Sequence, residues 1–187
     1  MFLIYSGWIG GILLMIFKIT KKEELDKAQD KVDTNSKLVA EIVESIIKPY
    51  CKDLDNYVEF IRECLKDGEH PVTDSELDDF CLNLATYIYF AGGMCEYIGI
   101  KDDISKALYK EQFNLARSQE KGTIADKDSA AELLAQKEQI VNICYNRAFK
   151  LLKAKVENAQ ELLASCKKVV SRRMQEYALT NLGGAEQ

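Results

Sequence analysis

The sequence predicts an all-α protein, a helical bundle that contains an antiparallel helical hairpin and ends in one very long C-terminal helix. Only 10 glycines and 2 prolines occur among 187 residues, so long stretches lack any residue that breaks a helix. Apolar residues recur at steps of three and four, the period of an amphipathic helix. No glycine or proline occurs between Gly122 and Gly183, which indicates a helix of exceptional length.

Composition and length favour a single folded domain with its own core. The chain is 47% hydrophobic and 29% charged, which is close to ordinary globular usage. We predict a hydrophobic N-terminal segment at 1–20, a polar connector at 21–36, a helical domain at 37–180 and a flexible tail at 181–187.

The N-terminal segment allows more than one interpretation. Its first seventeen residues, "MFLIYSGWIGGILLMIF", carry no charge, and their number is at the lower edge of a membrane span. Lysines follow it and would hold the rest of the chain in the cytoplasm, tethered to the inner membrane through residues 2–17. Alternatively, the segment is buried against the rest of the protein or in an oligomer interface. A third interpretation is that translation of the functional protein starts downstream of it. A cleavable signal peptide is disfavoured, because no basic region precedes the segment and no small-residue site follows it.

The polar connector and the first helices follow. Residues 21–36 form either a solvated helix or a tether. The next helix, Lys37 to Ile47, is expected to end near Pro49, because proline restricts the residue before it. A second amphipathic helix then runs from Tyr50 to Leu65, and Gly68 is expected to close it.

A capping box opens the most apolar helix of the domain. Thr73 and Glu76 have the spacing at which the hydroxyl accepts an amide hydrogen bond while the carboxylate reaches back. We expect this helix to end at Gly99 after a kink at Gly92 and Gly93. A new helix is expected to start at Asp102 and Asp103, whose charges suit a helix N-terminus.

The polar stretch "EKGTIADKD" predicts the turn of the hairpin. Gly122 is expected to stop one helix, with Lys121 favourable at that end, and Thr123 or Asp126 to cap the next. The long helix then extends from about Asp126 to about Ala178, roughly 75 to 80 Å at 1.5 Å per residue. Its first third would lie antiparallel to the helix before the turn.

Enzymatic and metal chemistry are disfavoured. The six cysteines are far apart with no C-x-x-C spacing, so we expect buried, reduced thiols and no disulfide framework. The sole histidine, His70, sits beside a proline in a loop, which leaves zinc without a ligand set and nucleophiles without a base. The carboxylate pairs Asp78-Asp79 and Asp102-Asp103 are read as structural. We predict a non-enzymatic protein without a cofactor.

Charge is distributed unevenly along the chain, whose net charge is −5. Twelve acidic residues face four basic ones between Glu41 and Asp79, whereas eight basic residues face two acidic ones between Arg147 and Arg173. On a helical wheel most of these cations lie opposite the apolar stripe, and Lys155 and Arg173 fall near its middle. Such residues extend to water or pair across an oligomer interface.

The basic face has two interpretations. It either neutralises the phosphates of a nucleic acid or is the solvated back of a helix. Few rings accompany it, and only Phe149, Tyr145 and Tyr109 are candidates for stacking on bases.

Three segments, "LNLATYIYFAGGMCEYIGI", "ALYKEQFNLARSQEKGTIADKDSAAE" and "YNRAFKLLKAKVENAQELLASCKKVVSRRMQE", together resemble the phage recombination-mediator family. These are small helical proteins that assemble into rings, bind single-stranded DNA and help to load a recombinase. The resemblance covers roughly Asp74 to Glu176. It implies a phage-encoded homo-oligomer that binds single-stranded DNA in the host cytoplasm, with a recombinase or other protein as partner. The DNA-binding residues that it implies are Lys121, Arg147, Lys150, Lys153, Lys167, Lys168, Arg172 and Arg173.

The other function class that the sequence leaves open is a structural or adaptor helical bundle, membrane-anchored through its N-terminal segment. Such a protein would act through protein–protein assembly along its long helix.

Overall fold

A computed structural model of the chain describes the backbone of residues 5–66 and 71–183 and the side chains of residues 22–66 and 71–180. Four helices follow in order: α1 (Tyr5–Lys66), α2 (Asp74–Gln119), α3 (Ile124–Leu134) and α4 (Gln136–Gly183). The described residues contain no strand. The predicted all-α class, the hairpin and the long C-terminal helix are confirmed.

The contacts divide the chain into two compact units, Met1–Ile42 and Val43–Gln187. In the first unit α1 is helical through the polar connector at 21–36, and the described side chains of that connector are exposed. Of the two interpretations of the connector, the structure therefore has the solvated helix.

In the second unit, the C-terminal part of α1 packs with α2 and α4 as three helices that run up, down and up. Tyr50 contacts the ring of Tyr97 at 6.3 Å between centroids, and Phe60 contacts that of Phe80 at 6.0 Å, so α1 and α2 are antiparallel. The core between the helices is mainly aliphatic, with one buried aromatic ring at Phe80. Its buried residues are Leu54, Ile61, Leu77, Phe80, Leu84, Ile88, Ala91, Val156 and Ala159.

The hairpin of α2 with α3 and α4 keeps one register over its whole length. Arg117 pairs with Asp128 near the turn, at 2.6 Å, and Arg173 pairs with Asp74 at the far end, at 2.8 Å. Midway, the amide of Asn142 donates to the hydroxyl of Ser105 at 3.0 Å. Ser105 is only 4% exposed, so this bond satisfies a buried polar group between the two helices.

The two helix starts predicted from capping residues are confirmed. The Thr73 hydroxyl accepts from the amide of Glu76, whose carboxylate accepts from the amide of Thr73 at 2.7 Å. At the turn, Thr123 and Asp126 form the same reciprocal pair, and Gly122 adopts a φ of +132° that residues with a Cβ rarely adopt. The polar turn thus combines a left-handed glycine with a helix cap.

Three predicted helix boundaries are wrong. α1 continues through Pro49, and α2 continues through Gly99 and past Asp102 as one helix of 46 residues. Packing along the bundle outweighs these local signals, since a proline costs one hydrogen bond whereas the helix is held by apolar contacts on both sides of it. Gly92 and Gly93 likewise lie inside unbroken helix.

The long C-terminal helix is interrupted once. Ala135 has a φ of −92° and a ψ of 7°, which ends α3 and separates it from α4 by a single residue. The backbone ladder continues across this point, because the amide of Ala135 donates to Ala131 at 2.9 Å and that of Gln139 donates to Ala135 at 3.0 Å. Together α3 and α4 therefore extend from Ile124 to Gly183 as one long helix with a local distortion at Ala135.

Several sequence predictions lie outside the described residues. Gly68 and His70 fall in the gap between α1 and α2, and the side chains of residues 2–17, on which the predicted membrane anchor depends, are not described. Among the residues that the search could cover, no helix is long and apolar enough to cross a bilayer.

Candidate nucleic-acid interface

The solvent-facing side of α4 carries most of the predicted cations. It is positioned by the opposite side of the same helix, where Ala148, Leu152 and Val156 are buried against α1 and α2. Since a helix advances about 100° per residue, residues roughly half a turn from this stripe point to water. The exposed basic side chains of α4 among the predicted set are Arg147, Lys150, Lys153, Lys167, Lys168 and Arg172.

These six cations form two clusters. The first comprises Arg147, Lys150 and Lys153, and the second comprises Lys167, Lys168 and Arg172. Along the helix axis Lys150 and Lys168 are about 27 Å apart at 1.5 Å per residue. Glu157 and Glu161, which are exposed on the same side of α4, lie between the clusters. The positive face is therefore two patches and not a continuous track.

Most cations of the two clusters are free of ion pairs within the described residues. Arg147, Lys150, Lys167 and Lys168 have none. Lys153 approaches Glu157 at 3.9 Å and Arg172 approaches Glu176 at 3.7 Å, both as exposed pairs one turn apart. Such pairs contribute little and open readily, so these two charges also remain accessible to an anion.

Arg173 lies away from this face and is engaged within the chain. Its guanidinium donates to the carbonyl of Val72 and to the carboxylate of Asp74, each at 2.8 Å. Lys155, the other cation near the middle of the apolar stripe, binds the Asp55 carboxylate at 2.9 and 3.0 Å. The sequence left open whether these two cations extend to water or pair across an oligomer interface. They form pairs, but with carboxylates of α1 and α2 in the same chain.

Lys121 is exposed in the turn between α2 and α3. The helical stretch from Ile124 to Arg147 is about 35 Å long at 1.5 Å per residue, so Lys121 is not brought together with either cluster. Only the six cations of α4 form one face.

A shallow groove borders the first cluster where α2 meets α4. It has a volume of about 260 Å³ and is lined by Gly92, Cys95, Glu96, Phe149, Lys153, Val156, Glu157 and Gln160. The two helices approach each other closely next to this groove. A Cβ on Gly99 of α2 would lie only 3.2 Å from the Phe149 ring of α4. Phe149 is half-buried there and is not a free stacking surface.

Among the described side chains the most exposed aromatic rings lie on α2, and they were not predicted from sequence. Tyr89 is 78% exposed and Phe90 63%, and their rings meet edge to face at 5.6 Å. Tyr89 lies one turn before Gly92, on the side of α2 that borders the groove. Of the rings named from sequence, Tyr145 lies 5.9 Å from the Lys101 ammonium and Tyr109 packs against Phe113. The sequence did carry a signal for these rings: the apolar helix α2 has more aromatic residues than its buried stripe can hold.

A second groove, between α1 and α4, has a volume of about 360 Å³ and contains the Lys155–Asp55 pair. The Cys51 thiol donates to the same Asp55 carboxylate at 3.2 Å. Burial first, and then this hydrogen bond, raise the pKa of the Cys51 thiol to about 12. A thiol held protonated is a poor nucleophile.

All six cysteines are free, as expected from sequence, and four of them are buried. Within the described part of the chain, no group of His, Cys, Asp and Glu could hold a metal ion. No family model, no curated protein and no solved structure matches the chain.

Proposed function

We propose that the chain is a non-enzymatic protein that binds single-stranded DNA through the exposed basic face of α4. In this proposal it acts as a homo-oligomer and assists recombination by helping a recombinase to load. The observation that carries DNA binding is the set of α4 cations without ion-pair partners among the described residues, which comprises Arg147, Lys150, Lys167 and Lys168. The role in recombination is supported by the resemblance of residues 74–176.

Two properties, one of the α4 face and one of the neighbouring helix α2, favour a nucleic acid. A phosphate backbone gains affinity by releasing counterions as Lys and Arg neutralise it, and cations that already lie in water need no desolvation before they do so. Tyr89 and Phe90 add exposed rings on which bases can stack, which contributes about 1–3 kcal/mol per base. Stacking of this kind favours single strands, whose bases are accessible.

The first prediction tests this interface by fluorescence anisotropy with labelled single-stranded DNA at about 50 mM salt. Replacing Lys167, Lys168 and Arg172 together with Gln should weaken binding strongly and leave helicity unchanged, because all three side chains are exposed. Each phosphate contact contributes about 0.7 to the slope of log K against log salt, so the slope should fall by about 2.

A matched control removes the same charge elsewhere. Lys27, Lys31 and Lys37 are exposed on α1, and their joint replacement with Gln should leave the affinity within about twofold. Equal loss in both variants would mean that only net charge matters. Absence of binding in the unaltered chain, or binding that ignores salt, would contradict the proposal.

A structural or adaptor protein is the second candidate, and exposed apolar side chains favour it. Ile104, Leu108, Leu115, Leu134 and Val141 are between 47% and 56% exposed, although they belong to one hairpin. Apolar groups clustered on a surface mark interaction sites. The two candidates separate cleanly, since an adaptor would assemble normally and show no DNA affinity.

A further inference from the structure

Besides the stripe that faces the core, α2 carries a second stripe, made of four apolar and two charged residues. It comprises Tyr97, Lys101, Ile104, Leu108, Glu111 and Leu115, which follow one another at steps of four, three, four, three and four. This is the spacing of a coiled-coil seam, and it is here called the α2 seam. The seam lies about 100° around the helix from the buried stripe that includes Ile98 and Ala116.

One end of the α2 seam is already packed within the chain. The Tyr97 ring meets Tyr50 of α1 at 6.3 Å, and the Lys101 ammonium lies over the Tyr97 ring at 4.5 Å. The three aliphatic side chains farther along are uncovered, with exposures of 53% for Ile104, 53% for Leu108 and 50% for Leu115. The surface is thus continuous with a helix–helix interface of the bundle, and these three side chains are half exposed.

The order of residues along the α2 seam is self-complementary. If a second α2 lies antiparallel across it, with a two-fold axis midway between Ile104 and Leu108, then Ile104 of each copy faces Leu108 of the other. The same axis sets Lys101 opposite Glu111 and Tyr97 opposite Leu115. Every layer therefore joins two apolar groups or two opposite charges, and no layer joins like charges, which is what a two-fold interface requires.

We infer that a second copy of this chain covers the α2 seam, so that two α2 helices pair antiparallel about a two-fold axis. The inference rests on the proposal that the chain acts as a homo-oligomer and names the surface and the orientation. Pairing of the seams requires no DNA. Failure of the pairing and failure of DNA binding are therefore seen in different measurements.

The second prediction is tested by sedimentation equilibrium on the full chain at micromolar concentration. Leu108→Gln, at the centre of the α2 seam, should raise the dissociation constant by about tenfold or more, the change that corresponds to ~1.4 kcal/mol. Leu82→Gln is the matched control, because Leu82 is a 70% exposed leucine of α2 outside the seam and its replacement should have no effect. Circular dichroism checks that both variants keep their helicity.

A charge swap tests the antiparallel orientation. Lys101→Glu or Glu111→Lys alone would place like charges opposite each other and should weaken association, whereas the double variant should restore it. In this arrangement residue 101 of one copy faces residue 111 of the other.

Three outcomes would overturn the inference. They are a monomeric unaltered chain, a Leu108→Gln variant that associates as well as the Leu82→Gln control, and a double variant that associates more weakly than both single ones. DNA affinity of each variant, measured separately by anisotropy, shows whether binding fails with assembly or apart from it.

Discussion

Three glycines of α2 lie in unbroken helix but in different surroundings. A Cβ on Gly93 would meet nothing within 4 Å, whereas a Cβ on Gly99 would lie 3.2 Å from the edge of the Phe149 ring. Glycine in a helix interior costs about 1 kcal/mol relative to alanine, because it loses more backbone entropy on folding. At Gly99 the close approach of α4 offsets that cost, and at Gly93 nothing in the described structure does.

The third prediction therefore contrasts two substitutions. Gly93→Ala should raise the free energy of unfolding by about 1 kcal/mol, since it removes the entropic cost without a clash. Gly99→Ala should gain less than Gly93→Ala or lose stability, because the Phe149 ring must move to admit the methyl group. Urea unfolding of both variants measures the difference, and an equal gain would show that the ring shifts without cost.

Also at the residue level, the partners of Arg173 and Lys155 could not be predicted from sequence. The helical wheel shows that both fall within the apolar stripe, but Asp74 and Asp55 lie 99 and 100 residues away in the chain. Which carboxylate meets which cation depends on the register between helices, and helical periodicity carries no information about that register. The exposed cations, in contrast, followed from periodicity alone.

At the level of elements, the two capping boxes are equivalent local devices at different places. Thr73 starts α2 where the chain enters the hairpin, and Thr123 starts α3 where the hairpin turns. In each case the threonine and a carboxylate three residues later satisfy amides that would otherwise lack a partner. The two residues of each box are only three positions apart in sequence, which is why both caps could be predicted from sequence.

The fourth prediction is that Thr73→Ala and Thr123→Ala each lower the free energy of unfolding by about 1 kcal/mol. Thr86→Ala is a suitable control, because the Thr86 hydroxyl donates to the Leu82 carbonyl at 2.9 Å inside α2 and caps nothing. There alanine should be neutral or stabilising, given its higher helix propensity. Chemical denaturation followed by circular dichroism distinguishes the cap from the loss of any hydroxyl.

The incorrect helix boundaries share one cause. Pro49 and Gly99 are breakers in an isolated peptide, yet each lies inside a continuous helix. Buried residues flank both positions, with Ile47 and Cys51 around the proline and Ile98 before the glycine. Burial on both sides makes it more favourable to continue the helix than to start a new one. Capping residues thus located two helix starts, whereas Pro49, Gly99 and the acidic pair at Asp102 did not mark boundaries.

For the molecule as a whole, the buried thiols link stability to alkaline pH. Burial is the main cause that raises the pKa of Cys81, Cys95, Cys144 and Cys166. For Cys51, burial and Asp55 raise it from 9.0 to about 12. Burial is the largest single effect on the pKa of Lys155 and lowers it, but the hydrogen bond to Asp55 and the nearby negative charges together outweigh burial, so the net direction is upward. All these groups keep their protons longer in the folded state.

The fifth prediction follows from that direction. Above about pH 9 the unfolded chain releases thiol protons that the folded chain retains, so stability is fully present below that pH and falls as pH rises. The urea midpoint should therefore decrease between about pH 8.5 and 10.5. In Cys51→Ala the fall should be shallower, since one of the titrating groups is gone. A midpoint that is constant or rises over this range would contradict the expected pKa shifts.

The single register of the hairpin also bears on how the chain reaches its fold. Arg117 and Asp128 lie close together in sequence across a short turn, whereas Asp74 and Arg173 are separated by 99 residues. Closing a short loop loses less chain entropy, and each helical layer that forms shortens the loop that the next layer must close. Assembly of the hairpin is accordingly expected to proceed from the turn outward. The Asp74–Arg173 pair then closes last, as a latch between the first turn of α2 and the C-terminal part of α4.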